Sequence, residues 1–326
     1  MATALSSLPT PPPPPRAVLA LGGNAITPPD GDGSVEHDYE NLGKSLDSVV
    51  ALLERGYQLT LTHGNGPQVG NQMLRVELTR DQAPDLPLDL MVADIQGGLG
   101  YMMELVLRNK LQQRGLSNPV CALITLVEVD RDDPAFAAPS KFVGGVYSAE
   151  QAEQLRNEKG WMLKEDRGRR GWRRVVPSPQ PRVVVERDLI ASLMATGTLV
   201  INTGGGGVPV VRQPDGQLVG VEGVVDKDLA SAVLALQLGA PELFILTGVE
   251  QVMLGYGTPE QRPLSVVTST EARAYLAQGH FPAGSMGPKI EAACRFVEGG
   301  GHRALITDIF TLSEALDGLT GTWVVP

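Results

Sequence analysis

Four stretches of this 326-residue chain share one layout, an apolar or β-branched run that breaks abruptly into glycine. Ala17 to Leu21 runs into Gly22-Gly23-Asn24, and Gln58 to Thr62 into His63-Gly64-Asn65-Gly66-Pro67. Leu199 to Thr203 runs into Gly204-Gly205-Gly206-Gly207, and Leu243 to Leu246 into Thr247-Gly248. Runs of this kind suit strands covered on both faces, as in a parallel sheet. In an open parallel sheet, ligands lie outside the carboxyl ends of the strands, where glycine bares backbone N–H groups to an anion. One such junction is a turn; four in one chain point to a shared site.

Helical periods separate the strands, the alternation of βαβ units. Leu42 to Arg55 repeats apolar residues at helical spacing and is closed by Gly56. Asp94 is the expected cap of a helix running through Met102, Leu105, Val106 and Leu111 to Gly115, and Val120 to Leu126 the next buried strand. Pro288 to Glu298 reads as a helix with proline in its first turn, and Ala304 to Thr307 returns as a strand. Met102, Met103 and Met194 read as core filling. From about Asp130 to Pro181 the alternation stops. That interval holds Lys141 beside Gly144-Gly145, a helix expected over Ala149 to Asn157, Trp161 and Trp172, and the cluster Arg167, Arg169, Arg170, Arg173 and Arg174. An insertion of this length within a compact domain is functional or disordered, and two tryptophans argue for order. The arginines read either as a polyanion site or, with Glu165 and Asp166 beside them, as a solvated face, and are given no catalytic role.

A net charge of −10 argues against a nucleic-acid surface, so an anionic ligand must be drawn by a few well-placed lysines. With no apolar run of about 18 residues and no basic-then-apolar N-terminus, the expectation is a soluble cytoplasmic protein away from membranes. Residues Met1 to Pro15, ending in five prolines, read as a disordered lead-in outside the fold. Cys121 and Cys294 lack metal-ligand spacing and read as buried free thiols.

The chemistry concentrates at Val224-Val225-Asp226-Lys227-Asp228-Leu229, where a β-branched pair meets an acid-lysine-acid triplet and then a helix-forming run. Asp228 is expected at the helix N-cap, holding Lys227 out of the loop as one aimed positive charge. His63 reads as a structural donor within its loop.

Taken in order, these junctions resemble the amino-acid kinase superfamily, and their details resemble its carbamate kinases. The likeness runs from Ala17 to Val325. It rests on Ala20-Leu21-Gly22-Gly23-Asn24-Ala25, on His63 through Gly70, on Gly171 through Pro179, on the glycines from Gly204, on Asp226-Lys227-Asp228, and on Gly284 through Ala292. The resemblance implies a three-layer αβα sandwich with an open, mainly parallel eight-stranded sheet and a small inserted subdomain at about 130–181. It also implies a carbamate-binding lobe at 16–221, a nucleotide-binding lobe at 222–326, and a homodimer.

The implied reaction is reversible phosphoryl transfer from ATP to carbamate, giving ADP and carbamoyl phosphate, used to make ATP within arginine metabolism. Where most of the superfamily carries a lysine, this chain has Ala20, and Lys141 from the insertion occupies the place that supplies the charge in carbamate kinases. By the same resemblance Lys141, Lys227 and Lys289 surround the phosphoryl group, with Asp228 orienting the lysines. Gly22, Gly23, Asn24, Asn65, Gly66, Gly204 and Gly205 hold the carbamoyl and phosphoryl oxygens. Lys227, Thr247, Gly248, Tyr256, Met286, Pro288 and Lys289 serve the nucleotide, with Mg²⁺ bound through its phosphates and water and no dedicated protein metal site. Two other readings stay open: another acyl-phosphate-forming kinase of the superfamily, and a nucleotide-binding regulatory module.

Overall fold

The computed structural model describes residues 14–27, 34–79, 81–166, 170–282 and 284–326. The proline-rich lead-in up to residue 13, together with Arg167 and Arg169, lies outside the described residues, as does the side chain of Asn24. Eight strands form the central sheet: β1 (Arg16–Leu21), β2 (Gln58–His63), β3 (Val120–Ala122), β4 (Leu199–Ile201), β5 (Glu242–Thr247), β6 (Val266–Thr268), β7 (Arg303–Asp308) and β8 (Thr322–Val325). Their order is β6-β8-β7-β5-β1-β2-β4-β3. Every neighbouring pair is parallel except β7 and β8.

The helices that position the site are α1 (Val35–Glu54), α2 (Gly66–Leu78), α3 (Leu88–Gln113), α4 (Ala149–Lys159), α5 (Arg187–Ala195), α6 (Lys227–Gln237), α7 (Ser269–Ala277), α8 (Met286–Glu298) and α9 (Leu312–Leu316). Alternation along β1 sorts them into two layers. Ala17, Leu19 and Leu21 join one core with Leu46 and Val49 of α1 and Leu99, Met103 and Leu107 of α3. Val18 faces the other, with Ile190 of α5, Leu234 of α6 and Phe296 of α8. Both faces of the sheet are therefore covered, which is why its strands read as continuous apolar runs. Each fully buried leucine or phenylalanine in these layers contributes about 1.5–3 kcal/mol relative to exposure.

Three expected element boundaries need correction. Helix α3 starts at Leu88, after Pro87 in extended conformation (φ −69°, ψ 158°), so Asp94 is an exposed interior residue and not a cap. Proline stops the chain before the apolar period begins, a stronger boundary than an acid inside it. α3 is also long and apolar enough by composition to cross a membrane; here its Leu99–Met103–Leu107 stripe packs into the core. Helix α1 begins at Val35, capped by Ser34, and not at Leu42. The expected strand Val120–Leu126 divides. After β3 the chain turns at Thr125, whose backbone is held on both sides by Gln96, and Leu126–Val129 joins a separate four-stranded sheet.

The interval expected as an insertion forms a three-stranded sheet of Lys141–Tyr147, Gly171–Val176 and Leu163–Asp166, with α4 beside it. Arg156 lies over Trp172 and Arg174 over Trp161, each 4.5 Å from the ring centre, and Arg173 pairs with Asp166 at 3.0 Å. Those arginines therefore hold the subdomain together internally, which corrects the solvated-face reading for Arg173 and Arg174. The subdomain docks on α2: Lys159 pairs with Glu77 at 2.5 Å, and the backbones of Gly70 and Gly144 nearly touch. A Cβ on Gly70 would stand 2.5 Å from Gly144 Cα, so only glycine permits this approach. Met103 and Met194 fill the core as expected. Cys294 is buried, Cys121 only half-buried, and both are free thiols.

Candidate active site

Val224 and Val225 are buried and deliver the chain in extended form to the start of α6. The N-cap is Asp226, not Asp228: its Oδ1 accepts from the backbone N–H of Asp228 at 3.0 Å and of Leu229 at 3.4 Å. An N-cap needs non-helical backbone, which Asp226 has (φ −75°, ψ 123°), whereas Asp228 already lies in the first turn. That one-residue shift frees the Asp228 carboxylate entirely. Lys227 Nζ donates to its Oδ1 at 2.5 Å, and Lys289 Nζ, from the first turn of α8, donates to its Oδ2 at 3.0 Å. Lys141, at the start of its subdomain strand, donates to Asp226 Oδ2 at 2.8 Å.

Three lysines from three separate elements thus meet two carboxylates, three positive charges against two negative, so the cluster carries one net positive charge in a chain of net charge −10. Burial grades the pairs. The Asp228 side chain is 4% exposed, whereas Lys141 is 32% exposed. Burial alone would raise the Asp228 pKa, but the two ammonium groups outweigh it and hold the carboxyl well below the usual range. Lys227, desolvated and beside a second ammonium, is pushed below the ordinary lysine value in spite of Asp228. Its carbonyl accepts from Ser231 Oγ at 2.6 Å, and Ser231 in turn contacts Thr62 Oγ1 at 2.6 Å, which ties the clamp to β2.

Around the clamp stand the glycine turns. A Cβ on Gly64 would lie 3.6 Å from Lys227 Cδ and 3.5 Å from the Gly23 nitrogen, so the β1 and β2 turns and the lysine adjoin. Gly205 has φ +64° and passes so close to Asn65 that a Cβ would fall 1.9 Å from its Nδ2. Thr203, two residues earlier, is a left-handed non-glycine residue (φ 49°), held by a 2.7 Å bond from its hydroxyl to Asn202. Backbone strain of this kind gathers at functional sites. Asn65 Nδ2 is buried and has no hydrogen-bond partner among the described residues, an orphan donor of the sort a ligand oxygen would satisfy. Gly66 opens α2, Gly23 opens a short 3₁₀ turn that includes the Asn24 backbone, and Gly22 packs under the Leu246 carbonyl. His63 is 1% exposed; its Nδ1 bonds the Gly64 carbonyl at 2.9 Å, as expected, and burial lowers its pKa to about 4.

Beyond Lys289 opens a cavity of about 620 Å³, the size of a small-ligand site. Thr247, Gly248, Tyr256, Met286 and Lys289 line it; Pro288, in the first turn of α8, does not. Its apolar wall also includes Met253 and Phe281, residues that no motif had singled out. The other omission is Asp226 as the partner of Lys141, a pairing across 85 positions of sequence with no local signal. The structure thus brings Lys141, Lys227, Lys289, Asp228 and the glycine turns together at the carboxyl ends of the strands, with the cavity alongside.

The sequence profile of the amino acid kinase family matches residues 15–308. The carbamate kinase of Pyrococcus furiosus is 47% identical over 313 residues, covering 95% of this chain and 99% of that protein. That of Halobacterium salinarum is 44% identical over 312 residues, covering 95% and 98%. Among solved structures, carbamate kinase from Giardia lamblia bound to AMP-PNP superposes with a TM-score of 0.88 at 37% identity, covering 96% of this chain and 98% of that one. With a full-length match of this kind laid over an αβα fold and a lysine–aspartate clamp at its strand ends, the chain belongs to the amino acid kinase family and, within it, to the carbamate kinases.

Proposed function

We propose that this protein catalyses reversible phosphoryl transfer between ATP and carbamate, forming ADP and carbamoyl phosphate. The observation that carries the reading is the meeting of Lys141, Lys227 and Lys289 on Asp226 and Asp228 beside four glycine turns. In the forward direction a carbamate oxygen bonds to the γ-phosphorus as the bond to the β-γ bridging oxygen breaks. Carbamate is already an anion, so no base is needed; positioning and charge cancellation do the rest. Lys227 and Lys289, held by Asp228, are preorganised donors for the moving group, and Lys141 closes the third side. The turns at Gly22-Gly23-Asn24, Asn65-Gly66 and Gly204-Gly205 cradle the carbamoyl and phosphoryl oxygens. Thr247, Gly248, Tyr256 and Met286 receive the nucleotide.

Mg²⁺ fits as a partner of the nucleotide rather than of the protein. Both Asp228 oxygens are engaged by lysines, and no group of three or more His, Cys, Asp or Glu side chains gathers among the described residues. When bound, the ion neutralises phosphate charge. A homodimer is the proposed assembly, supported by the solvent-facing Leu90, Tyr101 and Leu105 of α3, and light scattering tests it. ATP synthesis in the cytoplasm, within arginine breakdown, is the proposed setting. The deciding assay supplies ADP, Mg²⁺ and carbamoyl phosphate and measures ATP; folded protein that makes none overturns the reading.

A further inference from the structure

Asp226 divides its two oxygens between two parts of the molecule. Oδ1 is taken by α6, where it accepts from the backbone N–H groups of Asp228 and Leu229 and so fixes the helix start that carries Lys227 and Asp228. Oδ2 accepts from Lys141 Nζ at 2.8 Å, across 85 positions of sequence. Asp228, by contrast, gives its oxygens to Lys227 and Lys289. A side chain held by two backbone N–H groups cannot rotate without uncapping its helix, so Asp226 Oδ2 is a fixed point. Lys141 has no such constraint of its own: its ammonium rides on a flexible four-carbon stem, and the side chain is a third exposed. The subdomain that carries it also meets the main layers at the Gly70–Gly144 approach and at the Lys159–Glu77 pair, both on α2. Those contacts seat the sheet, but the bond to Asp226 is what places the Lys141 ammonium. An ammonium has three donors, so that bond leaves two for a ligand oxygen. The charge of Asp226 also favours the ammonium forms of Lys227 and Lys289, so one carboxylate acts on all three lysines.

We propose that Asp226 is a positioning residue for phosphoryl transfer: by tying the Lys141 ammonium to the N-terminus of α6, it sets that charge in register with Lys227 and Lys289. The inference rests on the carbamate kinase reading above. It adds that the aim of Lys141 is decided by a residue of the main layers, not by the subdomain's own sheet. Where a reaction depends on orientation, a misplacement of about 1 Å costs on the order of a hundredfold. An ion pair near solvent, however, adds little to stability. Catalysis and stability should therefore separate at this residue, because a substitution that keeps the helix cap removes only the hold on Lys141.

The test measures ATP formation from ADP, Mg²⁺ and carbamoyl phosphate in the wild type, Asp226→Asn, Asp226→Ser, Lys141→Ala and the double variant Lys141→Ala with Asp226→Asn. Asparagine and serine both cap helices well and neither carries charge, so the two Asp226 variants keep the start of α6 and lose the ion pair. Each should lose roughly tenfold in kcat, while KM for ADP stays within about twofold and the melting temperature within about 3 °C of wild type. In the Lys141→Ala background, Asp226→Asn should change kcat by less than about twofold, because residues that act as a unit are not additive. Equal fold losses in the two backgrounds, a kcat that is unchanged or raised in Asp226→Asn, or a Lys141→Ala variant with normal turnover overturns the inference and leaves the kinase reading standing. A wild type that makes no ATP overturns the kinase reading first.

Discussion

The two sources of positive charge are built differently. Lys227 and Lys289 sit on main-layer helices and share one carboxylate that is almost sealed from water. Lys141 comes from a separate three-stranded sheet, is a third exposed, and reaches its own carboxylate through a docking contact of bare glycine backbone. The first arrangement is fixed before any ligand arrives; the second depends on how the subdomain is seated. Preorganised charge in a dry site is worth far more than charge near solvent, so the two arms should differ in both stability and catalysis.

The largest effect should follow Asp228→Asn, which removes the carboxylate that both buried ammonium groups bond and leaves them only the more distant Asp226. Thermal or denaturant unfolding should show a loss of about 3–5 kcal/mol. Asp226→Asn, by contrast, keeps an asparagine N-cap and breaks a pair near solvent, so it should cost about 1 kcal/mol or less. Equal losses from the two would erase the distinction drawn between the arms.

On the catalytic side, Lys227→Ala should lower the rate of ATP formation by about a hundredfold or more. Near-normal turnover in that variant contradicts its placement at the transferring group.

Acid should act on the sealed side. Folded His63 has its pKa depressed from 6.5 to about 4, so its stabilisation is present above pH 6.5 and is lost as pH falls through 4. The loss is on the order of 3 kcal/mol across that window. His63→Gln, which does not titrate, should flatten this part of the stability profile relative to wild type; parallel profiles would argue against the depressed imidazole.

A smaller change is expected at the docking contact. Gly70→Ala forces its Cβ against Gly144 and should tilt the subdomain, lowering turnover roughly tenfold through Lys141 while the melting temperature of the main layers stays close to wild type. Unchanged turnover would mean that the seating of the subdomain does not govern Lys141.

Much of this was legible in sequence for identifiable reasons. Strands buried on both faces advertise themselves as unbroken apolar runs, and glycine at their ends marks where backbone must be bare, so β1, β2, β4 and β5 and their turns could be found directly. Val120–Leu126 misled because a segment that leaves one sheet for another keeps the same apolar pattern throughout. The choice between Asp226 and Asp228 as cap depends on backbone angles at one residue, which composition does not specify. The pairing of Lys141 with Asp226 joins two distant loops, and only the folded chain can bring them together.

The packing of Gly22 beneath the Leu246 carbonyl has one more consequence. The turn proposed for carbamate and the turn proposed for the nucleotide leave from β1 and β5, adjacent rails of the same ladder, with less than a methyl group's clearance between them. On that proposal the separation of the two turns is set by interstrand spacing, about 4.8 Å, a dimension that side-chain replacement cannot stretch. Evolution can retune which molecules are accepted here far more readily than it can alter how far apart they are held.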